Sequence, residues 1–258
     1  MKTKTIAVAN EKGGVGKTVT VINLAAALTL ENKKVLVVDM DPQANATKGL
    51  GVDSDGGGQS IYDLIQPNGG PALADVIVQT AWKGLDLIPG HTDLAGAEVE
   101  LLDVEGRENL LAEALGKLPS GYDFVLLDTP PSLSLLTVNV FAYARQVLIP
   151  CQTHPYAYGA LSELCDTVNA VQEEINPDIA ILGIVPTFYD IRTRVSQQVL
   201  SQLRSDERYK DLLFDTVVRT NTTIAESAAV GKPVVFFRSG SFGAIDYRDL
   251  AEEVLAKS

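Results

Sequence analysis

Ile6-Ala7-Val8-Ala9, followed by Lys12-Gly13-Gly14-Val15-Gly16-Lys17-Thr18, is the stretch that decides how this chain is read. A short apolar run precedes a glycine-rich turn. A segment rich in Ala, Leu and Val then extends over residues 18–30, with Asn32 as its stop. That order is strand, loop, helix. Glycines let a backbone curl until consecutive N–H groups face one concavity. The start of the helix adds free N–H groups and the positive end of its dipole. Lys17 is placed to reach β- and γ-phosphates as a mobile point charge, and the Thr18 hydroxyl to complete a Mg2+ shell. The pattern predicts a triphosphate-binding loop of Gly13, Gly14, Val15, Gly16, Lys17, Thr18 and Val19. The standard motif has glycine at position 11, where this chain has Glu11.

Outward from the loop, apolar runs recur at residues 35–38, 124–127, 147–149, 181–185 and 234–237, with 85–88 as a further strand. None alternates with polar residues, which is the pattern of parallel strands covered on both faces. Helical patterns lie between them at 18–30, 133–144, 157–175, 195–204 and 246–256. Alternating strands and helices predict an α/β fold: a doubly wound, mostly parallel sheet with helices on both faces and right-handed crossovers. Residues 49–58, with Gly56-Gly57-Gly58, read as a surface loop or a mobile lid, and 67–71 as a second loop.

The chain has 258 residues, 46% hydrophobic and 21% charged, which fits one globular domain over 1–258. A net charge of -12 excludes a surface coated in basic groups but not a local basic patch. Cys151 and Cys165 make no disulfide framework; a reducing cytoplasm and two small core residues fit them. Residues 6–9 are too short for a signal-peptide core, and no apolar run reaches the length of a membrane span. His91 and His154 lie far apart with no third ligand nearby, so a zinc site is not expected.

Two more runs carry charge at strand ends. Asp39-Met40-Asp41-Pro42-Gln43-Ala44-Asn45 follows the strand at 35–38, and Asp128-Thr129-Pro130-Pro131-Ser132 follows that at 124–127. The carboxyl ends of parallel strands are the ligand edge of such sheets. An aspartate ending a hydrophobic strand can hold Mg2+ directly or through water, which nominates Asp128. Aspartate and proline also favour caps and turns, so the first run has a structural corner as its alternative reading. The proline pair stiffens the turn after Asp128 into a candidate switch.

Together these runs resemble the deviant Walker A box and companion motifs of the ParA/MinD ATPase family. Tyr189-Asp190-Ile191-Arg192-Thr193-Arg194, with Glu226, Gly231-Lys232-Pro233-Val234 and Gly243-Ala244, resembles its ParA/Soj-type partition branch. The resemblance implies a P-loop NTPase fold, ATP and Mg2+ as cofactors, and slow hydrolysis stimulated by a ParB-like or other cargo adaptor. It gives Lys17 a role in cis and Lys12 one in trans, across a homodimer formed in the ATP state. It further implies that Asp41 positions the attacking water, that Asp39 supports Mg2+ or the loop, and that Asp128 serves Mg2+.

The family's partition branch also binds DNA non-specifically at the nucleoid. Arg192, Arg194, Arg219 and Lys232 are the candidates, although Thr220 and Thr223 stand at usual arginine positions. Val19 replaces a hydroxyl residue common in relatives. The last helix lacks the basic polar face of a membrane anchor, so no membrane partner is expected. A MinD-like positioning ATPase, a metabolic P-loop enzyme, an iron–sulfur relative and a scaffold that does not hydrolyse ATP are the other readings.

Overall fold

The computed structural model describes residues 2–53, 57–67, 69–116 and 118–258. Its strands are β1 (Lys4–Val8), β2 (Val35–Asp39), β3 (Val78–Gln79), β4 (Leu85–Ile88), β5 (Phe124–Asp128), β6 (Gln146–Gln152) and β7 (Ala180–Thr187). They form one seven-stranded sheet in the order β3-β4-β2-β5-β1-β6-β7. Every neighbouring pair is parallel except the short β3 on β4.

The longer helices are α1 (Lys17–Leu30), α7 (Leu135–Tyr143), α8 (Ala157–Glu174), α9 (Arg194–Ser205) and α12 (Phe242–Lys257). The shorter ones are α2 (Asn45–Gly49), α3 (Ile61–Leu64), α4 (Leu73–Val76), α5 (Leu94–Glu100), α6 (Leu110–Leu115), α10 (Thr222–Ala229) and α11 (Val234–Phe237).

The unbroken apolar strands follow from burial on both faces. Successive side chains of a strand point to opposite sides. Ala7, Leu36, Val38, Val125 and Leu127 therefore join one cluster with α5 to α9. Ile6, Val8, Val35, Val37, Phe124 and Leu126 join another with α1, α11 and α12. From β1 the chain crosses β5 by way of α1 to reach β2. From β5 it crosses β1 by way of α7 to reach β6. These opposed crossovers open a crevice at the carboxyl ends of β1 and β5, where ligands sit in open α/β sheets.

Pro150 stands inside β6, a central strand, where its missing N–H would break a ladder. The pairing of β1 with β6 ends at Val8 and Leu148, because the chain turns away there into the glycine loop. The Pro150 carbonyl instead accepts from the Asn10 side chain at 2.8 Å.

One strand expectation is corrected. Residues 234–237, read as a strand, form the single turn α11. A four-residue apolar run does not distinguish a strand from a buried helical turn. Here Pro233 presets the entry to a helix. The Asn23 side chain of α1 accepts from the Val234 N–H at 2.7 Å, and Trp82 stacks on Phe236 with ring centroids 4.9 Å apart. The other strands and long helices lie where expected to within a few residues, and Asn32 takes a left-handed φ of 57° as α1 stops. Residues 54–56 of the glycine-rich stretch, and residue 68 of the second loop, fall outside the described residues.

Candidate functional site

Between β1 and α1 the chain wraps a concavity. Gly14 and Gly16 have φ of 75° and 95°, left-handed values that only glycine adopts without strain. Asn10 fastens one side of the loop, donating to Pro150 O and accepting from the Lys12 N–H at 2.9 Å. Thr187 at the end of β7 fastens the other, donating to Val15 O at 2.8 Å. Gly13, Gly14, Gly16, Lys17, Thr18 and Val19 line a cavity of about 330 Å³ with Asp41, Gln43, Asn45, Pro131 and Phe188.

Lys17 is buried, and its Nζ donates to Lys12 O at 3.3 Å. Burial lowers its pKa, while the charges of Asp128 and Asp41 oppose the shift. Glu11 does not enter this cavity. It borders a small void beside Thr129, Ser132 and Leu164, and Glu163 of α8 stands against it. Burial first, and that second carboxyl next, raise the Glu11 pKa. The departure from glycine at position 11 is thus accommodated by a side chain turned toward α8.

The strand-end carboxylates converge as expected. Asp39 and Asp128 are direct neighbours across the β2–β5 ladder, and both are fully buried. Their environments differ. Asp39 Oδ2 accepts from the Thr47 N–H at 2.8 Å and the Thr47 hydroxyl at 2.7 Å, and Oδ1 accepts from the Asp41 N–H at 3.2 Å. Burial still pushes Asp39 up to about 6 against those three donors.

Among the described residues, neither Asp128 carboxylate oxygen has a hydrogen-bond partner. Burial and then the Asp39 charge hold its pKa well above the carboxylate range, with the Thr18 hydroxyl and Lys17 working the other way. A buried, unpartnered carboxylate costs several kcal/mol unless something pairs with it. The acid beside Lys17 and Thr18 is therefore shaped for a cation, and oxygen donors of this kind suit Mg2+. Asp41 is buried, with Oδ1 accepting from the Gln43 N–H at 2.9 Å.

The sequence reading missed the second half of the site. A largely apolar cavity of about 570 Å³ adjoins the phosphate cavity, sharing Gly16, Val19 and Phe188 with it. Val218, Asn221, Ile224, Ala228 and Tyr247 also line it. Its size and apolar walls suit a flat heteroaromatic ring. Phe188 holds a φ of 51°, rare for an aromatic residue, at the boundary between the two cavities. That positive φ leaves no trace in sequence. Val19, in place of a hydroxyl residue, contributes an apolar wall to both spaces.

The basic candidates are not equivalent. Arg192 forms a two-pronged pair with Asp190, and Arg219 pairs with the buried Asp246 while lying over the Phe242 ring. Lys232 stands 5.5 Å from the Trp82 ring. Arg194, exposed at the start of α9, has no ion-pair partner among the described residues. Cys151 is buried, with its thiol pushed up to about 12 by burial, and Cys165 lies in α8. Neither is near the turn after Asp128 in sequence. No helix among the described residues is long and apolar enough to cross a membrane.

A family model described as an AAA domain (AAA_31) matches residues 3–181. The chain is 41% identical over 253 residues to "Sporulation initiation inhibitor protein Soj" of Bacillus subtilis (strain 168), covering 98% of each. It is 45% identical over 256 residues to "Chromosome-partitioning ATPase Soj" of Thermus thermophilus, covering 99% of this chain and 97% of that one. Among solved structures, cobyrinic acid a,c-diamide synthase from Mycobacterium smegmatis with bound ATP analog and magnesium matches at a TM-score of 0.84 and 37% identity. That match covers 98% of this chain and 95% of the other.

Proposed function

The chain belongs to the ParA/Soj-type partition ATPases of the ParA/MinD deviant Walker A family, and from that membership we propose that residues 1–258 form a single ATPase domain that binds Mg-ATP and hydrolyses it to ADP and phosphate. The observation that carries this reading is Asp128: both oxygens are buried with no hydrogen-bond partner among the described residues, beside Lys17 and the Thr18 hydroxyl at the mouth of the phosphate loop.

Backbone amides at positions 13–19 and the start of α1 bind the phosphates, and the apolar cavity takes the base. Thr18 and Asp128 would hold Mg2+, which when bound neutralises charge on the phosphates. Lys17 sits within the loop, where charge builds on the transferred phosphoryl group. Asp41 accepts a hydrogen bond from the attacking water and fixes its approach. Asp39 has its oxygens taken up by Thr47 and Asp41, so it supports the loop and not the metal. Lys12 acts in trans on the nucleotide of a second copy.

In the finer reading the ATP state is a homodimer that binds DNA non-specifically, is cytoplasmic and nucleoid-associated, and positions a chromosome, plasmid or other cargo. A ParB-like adaptor accelerates an otherwise slow hydrolysis. The name of the Mycobacterium smegmatis structure favours a second reading, a small-molecule ligase on the same fold. Phosphate release tests both. The parent hydrolyses ATP with Mg2+ and no second small-molecule substrate, and Asp41→Ala lowers the rate about a hundred-fold. Equal rates in the two proteins sink the catalytic assignment of Asp41.

A further inference from the structure

Thr47 is fully buried and lines neither nucleotide cavity, yet its hydroxyl uses both of its hydrogen-bonding roles. It donates to Asp39 Oδ2 at 2.7 Å and accepts from the Gly90 N–H, just past β4, at 3.0 Å. The Thr47 N–H reaches the same Asp39 oxygen at 2.8 Å. The corner admits only glycine at position 90, where a Cβ would stand 2.9 Å from Asp39 Cγ and 3.0 Å from its carbonyl oxygen.

These bonds close residues 40–46 into a loop pinned at its base. The loop is not relaxed: Ala44 holds a left-handed φ of 50°, a conformation costly for any residue with a Cβ. Its side chains Asp41, Gln43 and Asn45 line the phosphate cavity. The anchor therefore lies outside the site, and the groups it aims lie within.

We propose that Thr47 is a positioning residue for hydrolysis: its hydroxyl, held between Asp39 and Gly90, fixes the loop that presents Asp41 to the attacking water. This rests on the ATPase reading above. Nucleotide affinity comes from residues 13–19 and the apolar cavity, and Thr47 lines neither space, so loss of the hydroxyl separates turnover from binding.

The test compares Thr47→Val, which keeps the shape but not the hydroxyl, with Thr47→Ser, which keeps the hydroxyl. Phosphate release in single turnover gives the rate, and titration with a fluorescent ATP analogue gives affinity. Thr47→Val should turn over about ten-fold more slowly with Kd changed less than about two-fold, and Thr47→Ser should keep the parent rate. If Thr47→Val does not fold, Thr47→Cys, with its weaker donor, carries the same expectation. A parent-like rate in the variant that folds overturns the proposal. Equal losses of rate and affinity overturn it too, as does failure of serine to restore the rate. A parent that binds the analogue without hydrolysing ATP overturns the ATPase reading and this inference together.

Discussion

At the scale of single residues, the site is built from charges the fold alone does not satisfy. Asp39 is pushed up to about 6 by burial, and Asp128 is raised by burial and by its neighbour. A carboxyl whose folded pKa is raised adds its stability in full below its unfolded pKa of about 3.9, and loses it as pH rises through the folded pKa. With no ligand present, Asp128→Asn should therefore be more thermally stable than the parent at pH 7. That advantage should shrink as pH falls toward 4. With Mg-ATP the order should invert at neutral pH, since the ionised carboxylate is the form that pairs with a cation. Melting curves of both proteins across this range check it; superimposed profiles would remove the unpartnered charge from the account. The arginines divide in the same way. If the proposed DNA binding uses Arg194, Arg194→Ala lowers its salt slope by about one, the loss of one phosphate contact. Arg219→Ala should instead cost on the order of 2–3 kcal/mol of folding stability, because it leaves the buried Asp246 carboxylate without the guanidinium and with only the backbone N–H of residue 219. Urea unfolding and DNA titrations at several salt concentrations separate the two, and a reversal of the pattern would reassign both residues.

At the scale of elements, what the sequence shows depends on whether a signal is local. The phosphate loop is local: glycine backbone freedom, one lysine and one hydroxyl residue lie within a few positions between β1 and α1. Asp41 and Asp128 are legible because acids at strand ends stand out after apolar runs. Thr47 and the apolar cavity are not, since their roles depend on β4, β7, α10 and α12 arriving from elsewhere in the chain. The turn at Val234–Phe237 shows the limit from the other side. Four apolar residues suit a strand, and a side chain over two hundred positions earlier makes them a helix. Asn23 is that side chain. It is buried, donates to Val19 O at 2.8 Å within its own helix and accepts from the Val234 N–H at 2.7 Å. Asn23→Ala strands a buried N–H, so it should cost about 1–3 kcal/mol in urea unfolding. A loss below about 0.5 kcal/mol would mean that packing of Val234 and Val235, and not this bond, fixes α11.

At the scale of the whole molecule, the edge that carries the phosphate loop also carries uncovered apolar side chains. Leu133 follows β5, Tyr156 follows β6, and Phe188, Ile191 and Val195 follow β7, each beyond the carboxyl end of a parallel strand. Tyr156 is 77% exposed and Ile191 69%. Exposed apolar groups gathered at a polar rim mark a surface that meets a partner. Lys12 lies on the same edge, where a second copy facing the first would bring it to the neighbour's phosphates. The proposed dimer therefore needs the nucleotide and the apolar rim together. Light scattering should give the mass of one chain with ADP and of two with Mg2+ and a non-hydrolysable ATP analogue. Ile191→Asp, which places a charge on the rim away from the phosphate loop, should bind the analogue with parent affinity and stay single. If, as proposed, its charge acts on the other subunit's nucleotide, Lys12→Ala keeps nucleotide affinity and loses hydrolysis. One mass in every nucleotide state would sink the dimer, and full hydrolysis by Lys12→Ala would return that lysine to the surface of its own loop.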